Sequence, residues 1–150
     1  MQSFSGLLGE IARILRPGGL LLSGEWSHSI FVESDEDLHR VSPRLSEFFQ
    51  LINPFMHAYS VEPVIAQFLR GDERFVGVEE NEHNVPLDDS PRGERMKLAM
   101  IEYGESLRPF LLDSGISDER INVLLRNMQN ELETTHGLFL RYHTLHCRRA

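Results

Sequence analysis

The segment LRPGGLLLSGEW, residues 15–26, constrains the fold more than any other part of the chain. Before it, apolar residues repeat at helical spacing over Phe4–Leu15 and predict an amphipathic first helix. Pro17 cannot continue that helix, and the two glycines after it accept positive φ, so the helix ends here. Leu20–Leu22 follow without alternation, which predicts a strand buried on both faces, as in parallel sheets. We expect this strand to end at Gly24–Trp26.

The rest of the chain alternates between helical and extended patterns. Its 150 residues suffice for one domain with a core, residues 1–150, and the alternation indicates an α/β sandwich with a small sheet. The charged stretches at Glu33–Asp37 and Glu79–Pro86 are interpreted as loops. Further helices are predicted after Ser42 as far as Asn53-Pro54, over Val61–Leu69, over Met96–Leu111 with a break near Gly104 and Pro109, and over Ser117–Leu132. Further strands are predicted over Arg74–Val78 and Leu138–Arg148.

Charge and cysteine content limit the class of partner and the compartment. The net charge of −8 lacks the basic surface expected of a protein that binds nucleic acid or an anionic membrane. The single cysteine cannot form an internal disulfide, which favours a reducing compartment. No signal peptide or membrane span is predicted from the sequence. We therefore expect a cytoplasmic protein, with the nucleus as the alternative.

The order of helix, LRPGG turn, apolar strand and acidic tip resembles the C-terminal half of a class I S-adenosylmethionine-dependent methyltransferase. In that family a turn like Leu15–Gly19 precedes the fifth strand. A helix like Val61–Leu69 then leads to a sixth strand like Arg74–Val78, and a last strand like Leu138–Arg148 enters antiparallel. The resemblance implies a partial Rossmann-like fold with three strands in the spatial order first-third-second, helices on both faces and helical inserts.

A narrower resemblance covers residues 84–132. The stretch NVPLDDSPRGERMKLAMIEYGESLRPFLLDSGISDERINVLLRNMQNEL is similar to the region before the final strand in fungal methyltransferases of secondary metabolism. Gly115–Glu119 matches the helix start G-[IL]-S-x-E of that group. The resemblance implies methyl transfer from S-adenosylmethionine to a small molecule. The chain has no G-x-G turn of the kind that holds the cofactor, so we expect it to lack the cofactor-binding half and to be inactive alone.

Two groups of residues are candidates for a substrate site. Glu25, Trp26 and His28 are expected just past the carboxyl end of the first strand, where open α/β sheets bind ligands. Trp26 would form an apolar wall, and His28 would act as a general base or as a group that orients a substrate hydroxyl. The alternative is a strand end with a packed tryptophan and an exposed histidine. Met56, His57 and Tyr59 are predicted in a loop that caps the pocket, whereas Phe48 and Phe49 are assigned to the core.

Two other clusters are given structural interpretations. His143 and His146 lie three residues apart on a predicted strand, so they face opposite sides and are poorly placed to chelate one metal ion. Glu79–His83 is interpreted as a solvated charged face.

A second function remains open from the sequence. A first strand without its neighbour leaves an apolar edge, which is a template for association. The chain is then a non-enzymatic module that forms a homo- or hetero-oligomer through that edge.

Overall fold

The structure is a computed structural model that describes residues 4–34, 36–56 and 64–150. Within these residues the fold is mixed α/β, as the alternation of helical and extended patterns predicts. The strands are β1 (Leu20–Val32), β2 (Phe75–Pro86) and β3 (Leu138–Arg149). The helices are α1 (Phe4–Ile14), α2 (Leu38–Val41), α3 (Pro43–Met56), α4 (Val64–Arg70), α5 (Pro91–Ser106), α6 (Arg108–Asp113) and α7 (Asp118–Thr134). None of these helices is long and apolar enough to cross a bilayer.

The three strands form an open antiparallel sheet in the order β1-β3-β2. The Arg149 amide donates to the Gly19 carbonyl at 2.9 Å, so the end of β3 lies beside the start of β1. The Ala150 amide donates to the Arg74 carbonyl at 2.9 Å, so the same end also lies beside the start of β2. The last strand therefore runs antiparallel between the other two. The predicted spatial order, first-third-second, is confirmed.

Two strands extend well past their predicted ends. β1 continues through Glu25 and Trp26 to Val32, and β2 continues through the charged stretch after Val78 to Pro86. The predicted strand end at Gly24–Trp26 and the predicted loop at Glu79–Pro86 were therefore wrong. The long central strand β3 pairs with both β1 and β2. Because backbone hydrogen bonds hold the strands together, an exposed face of the sheet can carry polar side chains as readily as apolar ones.

The turn after α1 agrees with its prediction. α1 ends at Ile14, and Gly18 adopts φ +74°, a conformation that glycine reaches without steric cost. The prediction that Leu20–Leu22 are buried on both faces was wrong, because Leu20 and Leu22 are 50% and 69% exposed. Alternation along an edge strand points only Leu21 toward buried neighbours.

The chain divides into two compact units. Unit 1 comprises Met1–Ser27, Tyr59–His83 and Tyr142–Ala150. In it, α1 and α4 pack against one side of the strands. The buried residues of its core are Leu8, Ala12, Ala66, Leu69, Phe75, Leu145 and Cys147.

Unit 2 comprises His28–Ala58 and Asn84–Arg141. α3 and α7 form the centre of its core, which includes Phe48 and Phe49 as predicted. The predicted apolar stripe of α7 is confirmed as buried: Ile121, Leu124, Leu125, Met128 and Leu132. The break in the long helical region is also confirmed, because α5 ends at Ser106 and α6 begins at Arg108.

The two ends of α3 show where local rules were insufficient. Glu131 of α7 accepts hydrogen bonds from the amides of Arg44 and Leu45 at 2.9 and 2.8 Å, so the first turn of α3 is capped by another helix. α3 was predicted to end at Asn53-Pro54 but continues to Met56. A proline removes one helical hydrogen bond and disfavours a helix without excluding it, and here the helix continues for two residues beyond Pro54.

Candidate functional site

Glu25 and Trp26 lie inside β1 and not past its end. Successive strand residues point to opposite faces, so these two side chains cannot form one substrate lip. The ring of Trp26 contacts that of Tyr142, with centroids 4.7 Å apart, whereas Glu25 lines a cleft. The predicted position of Glu25 and Trp26 past the carboxyl end of the strand was wrong, because the pairing with β3 continues beyond them. Their role in binding a substrate stays a prediction.

The structure describes the other four candidate residues only in part or not at all. His28 lies inside β1 and Met56 is the last residue of α3, so their predicted positions past the strand end and in a loop were wrong. The side chains of both residues are outside what the structure describes. His57 and Tyr59 lie outside the described residues. Their roles in a substrate lip and a lid stay predictions.

Unit 1 contains a cleft of about 260 Å³ that all three strands and α4 line. We call it the histidine cleft, because a histidine of the central strand lies in it. Ile65 of α4 and Leu145 of β3 are its apolar lining residues. The polar and charged lining residues are Ser23, Glu25, Glu80, Asn81, Glu82, His143 and Thr144.

His143 occupies the central strand of the histidine cleft, with a glutamate on each neighbouring strand. Its Nδ1 atom lies 3.9 Å from Oε2 of Glu82 on β2, and Glu25 lines the same cleft from β1. The imidazole is 35% exposed, so a small molecule in the cleft has access to it. An imidazole can take a proton from a bound hydroxyl, and neighbouring carboxylates can orient it. The cleft therefore offers general-base chemistry and a negatively charged wall.

The sequence contained a signal for this arrangement. In LFLRYHTLHCRR, alternate residues share a face, which places His143 with Leu145 and Cys147. Leu145 and Cys147 are buried, so that face is the covered one in unit 1. Glu82 was missed because a charged run suggests a loop more readily than a strand edge.

The two histidines of β3 have different partners. His146 Nε2 lies 3.3 Å from Oε2 of Glu79, whereas His143 lies in the histidine cleft beside Glu82. They do not converge, as the three-residue spacing predicts. Among the residues that the structure describes, no group of three or more potential ligands could hold a metal ion.

Cys147 has the properties of a core residue. It is fully buried in unit 1, and burial raises the pKa of its thiol. A neutral, inaccessible thiol is a poor nucleophile, so Cys147 contributes to packing and not to covalent chemistry.

No protein-family model matches the chain, and no curated protein matches it. Any assignment of function therefore depends on the sequence motifs, the strand order and the chemistry of the clefts.

Proposed function

We propose that this chain is the substrate-side half of a class I S-adenosylmethionine-dependent methyltransferase domain that acts on a small molecule. The strand order carries the proposal. A final strand that enters antiparallel between two earlier strands, after a helix and an LRPGG turn, is the arrangement that the resemblance implies. The finer features, a Rossmann-like fold with helices on both faces, belong to the same proposal.

The backbone amides of the glycine turn do not fit a role in holding the cofactor. The Gly18 amide donates to the Arg149 carbonyl at 2.9 Å, and the Gly19 amide donates to the Arg16 carbonyl at 2.8 Å. Amides that are already bonded within the protein are not free to bind a nucleotide. Together with the missing G-x-G, this supports a chain that does not bind S-adenosylmethionine by itself and is inactive alone.

The histidine cleft supplies what a methyl acceptor requires of the protein. Methyl transfer depends on holding two reactants in line, so the acceptor half must bind and orient a small molecule. Glu25 and Glu82 favour an acceptor with a hydroxyl or ammonium group, and His143 is placed to receive a hydroxyl proton. A net charge of −8 argues against nucleic acid as the acceptor. A single buried thiol suits the cytosol or nucleus.

The complete reading frame that encodes these residues tests the proposal. We expect it to contain a strand followed by a glycine-rich turn, and an acidic residue about 20 positions further on. Calorimetry should then detect S-adenosylmethionine binding to the complete product and none to the 150-residue chain. A complete product that binds no cofactor would sink the methyltransferase proposal.

A second candidate function, partner binding through β1, is favoured by the contrast between the two edge strands of unit 1. β2 carries the edge-protecting features of natural sheets, a positive-φ glycine at Gly77 and the exposed charges Glu79 and Glu80. β1 exposes two apolar side chains, Leu20 and Leu22, whereas β2 exposes Val76 beside its charges. Light scattering should then show an oligomer, and Leu22→Lys should shift it toward monomer. A wild-type chain that stays monomeric at high concentration removes this candidate.

A further inference from the structure

We propose that unit 1 binds a neutral oligosaccharide of β-linked hexopyranose rings on the face of its sheet opposite to α1 and α4. Both helices pack against the face that carries Leu145. Because successive strand residues point to opposite faces, Tyr142 and Thr144 point away from these helices. The binding surface is formed by Tyr142 with Trp26 and Leu22 of β1, and we call it the aromatic platform.

Gly24 allows the ring of Tyr142 to lie across the backbone of β1. A Cβ atom at Gly24 would lie 2.7 Å from Cζ of Tyr142, so the ring occupies the space that a side chain would need. A glycine inside a strand often marks such a close approach. Tyr142 is half-buried, which leaves part of its ring open on the outer side.

Trp26 and Leu22 flank this ring, because each lies two residues from Gly24 on the same face of β1. The ring centroids of Trp26 and Tyr142 are 4.7 Å apart and their planes are inclined at 45°. Trp26 and Leu22 are both exposed. A hexopyranose ring with equatorial hydroxyls presents flat faces of axial C–H groups, and the open rings of the platform are apolar surfaces of matching shape.

Polar groups at the platform have hydrogen-bonding capacity to spare. Among the described residues, the indole N–H of Trp26, the phenol of Tyr142 and the side-chain amide of Asn81 have no hydrogen-bond partner. Asn81 and His83 lie on β2, and Nε2 of His83 lies 3.4 Å from Oγ1 of Thr144. Donors and acceptors around an apolar surface are what the hydroxyls at the edge of a sugar ring require.

The spacing of these groups favours more than one sugar ring. The Thr144 hydroxyl donates to the Asn81 carbonyl at 3.5 Å, so Asn81 lies beside the central strand. Asn81 on β2 and Trp26 on β1 are then two strand spacings apart, about 10 Å. A single sugar ring is shorter than this distance. A ligand of two or more linked rings would contact both residues.

The charges on this face favour a neutral ligand. Nε2 of His146 lies 3.3 Å from Oε2 of Glu79, and the Arg148 guanidinium donates to the Gly18 carbonyl at 2.9 Å. These charged groups are therefore engaged within the protein. Nucleic-acid bases also stack on exposed aromatic rings, but the net charge of −8 repels a polyanion. A polyhydroxyl ligand without charge avoids that repulsion.

Binding at the aromatic platform requires neither methyl transfer nor the histidine cleft. The platform residues Trp26 and Tyr142 alternate along their strands with Glu25 and His143 of the histidine cleft, so the two sets of side chains lie on opposite faces. Loss of binding at one face and loss of activity at the other are therefore separate results.

Calorimetric titration of the chain with cellohexaose tests the aromatic platform. We expect saturable binding with a dissociation constant in the millimolar range or below. Trp26→Ala should weaken binding by about tenfold, and Asn81→Ala by about fivefold. The matched control is Leu98→Ala, which shortens an exposed apolar side chain of α5 in unit 2 and should bind like the wild type.

The linkage and the fold are controlled separately. Maltohexaose has the same rings in α linkage, which does not align their flat faces along a strip, so it should bind several-fold more weakly. Circular dichroism should first show that each variant is folded, and Asn81→Ala on an exposed position of β2 keeps the test decisive if Trp26→Ala does not fold.

Three results would overturn the proposal. The first is the absence of saturable cellohexaose binding to the folded wild-type chain at millimolar sugar. The second is equal affinity for the two hexasaccharides, or an affinity that Trp26→Ala and Asn81→Ala leave unchanged. The third is a wild-type dimer that shields Trp26 from a fluorescence quencher and dissociates in Leu22→Lys, because a second copy of the chain would then cover the platform.

Discussion

A methyl group added at Gly24 tests the central part of β1, where structure and sequence disagree. A Cβ atom built at Gly24 would lie 2.7 Å from Cζ of Tyr142, closer than packed side chains allow. The ring of Tyr142 would have to turn away and lose its contact with Trp26. Overpacking of this kind costs about 1–3 kcal/mol, and an aromatic pair contributes about 0.5–1.5 kcal/mol.

An opposing effect reduces the net change. Alanine in a strand is favoured over glycine by about 0.5–1 kcal/mol, because glycine loses more backbone freedom on folding. Tyr142 is only half-buried, so moving its ring should cost a free energy at the low end of the overpacking range. We therefore expect Gly24→Ala to lower the free energy of unfolding by about 1 kcal/mol.

Urea denaturation followed by tryptophan fluorescence measures the free energy of unfolding directly, because Trp26 is the single tryptophan of the chain. The matched control is Ser23→Ala, one residue earlier on the opposite face of β1, which should stay within about 0.5 kcal/mol of wild type. In a Tyr142→Ala background the sign should reverse, and Gly24→Ala should then stabilise. Stabilisation in both backgrounds would refute the packing of Tyr142 over Gly24.

Three further predictions concern stability and reactivity. Gly104→Ala should destabilise unit 2 by about 1–3 kcal/mol, because its Cβ would lie 2.7 Å from Cε of Met128. Gly9→Ala, whose Cβ has only an ordinary contact in α1, should stabilise by about 0.5–1 kcal/mol, and chemical denaturation of both variants gives the comparison. Glu131→Ala should cost about 1–2 kcal/mol by the same assay, because the first turn of α3 loses its cap. The raised pKa of Cys147 keeps its thiol neutral in the folded state, so stability should be constant below the unfolded-state value near pH ~8.5. It should fall as pH rises toward the folded pKa, and Cys147→Ala should remove that loss in pH-dependent urea titrations.

The helices were predictable because their signals are local. The apolar stripe of α7 and the Ser117 cap that precedes it lie within a few turns of each other. Ser117 accepts a hydrogen bond from the Arg120 amide, as a serine at an N-cap does. The cap of α3 by Glu131 was not predictable in this way, since 87 positions separate Glu131 from Arg44.

The strands were predictable in order but not in length. Their order came with the resemblance to methyltransferases and is confirmed by the sheet. Their ends depend on how far β3 runs beside them, and no local pattern records that pairing. Glu79–Pro86 is polar because one strand face is exposed, and a single sequence does not distinguish such a strand from a charged loop.

The candidate site was predictable only in part. Glu25 was selected because it was predicted near a strand end. It lies in a cleft for a different reason: successive strand residues point to opposite faces, and the face of Glu25 is the one that lines the cleft. His143 was considered only as a metal ligand. Its proposed role depends on Glu82, a residue 61 positions away that sequence patterns did not connect with it.

Our central proposal is that these residues form the substrate-side half of a methyltransferase domain and do not hold the cofactor themselves. Calorimetric titration of S-adenosylmethionine into the 150-residue chain and into the product of its complete reading frame tests this most directly. The account predicts no saturable heat for the chain alone and one-to-one binding at micromolar affinity for the complete product. Micromolar binding by the chain alone, or none by the complete product, would contradict it.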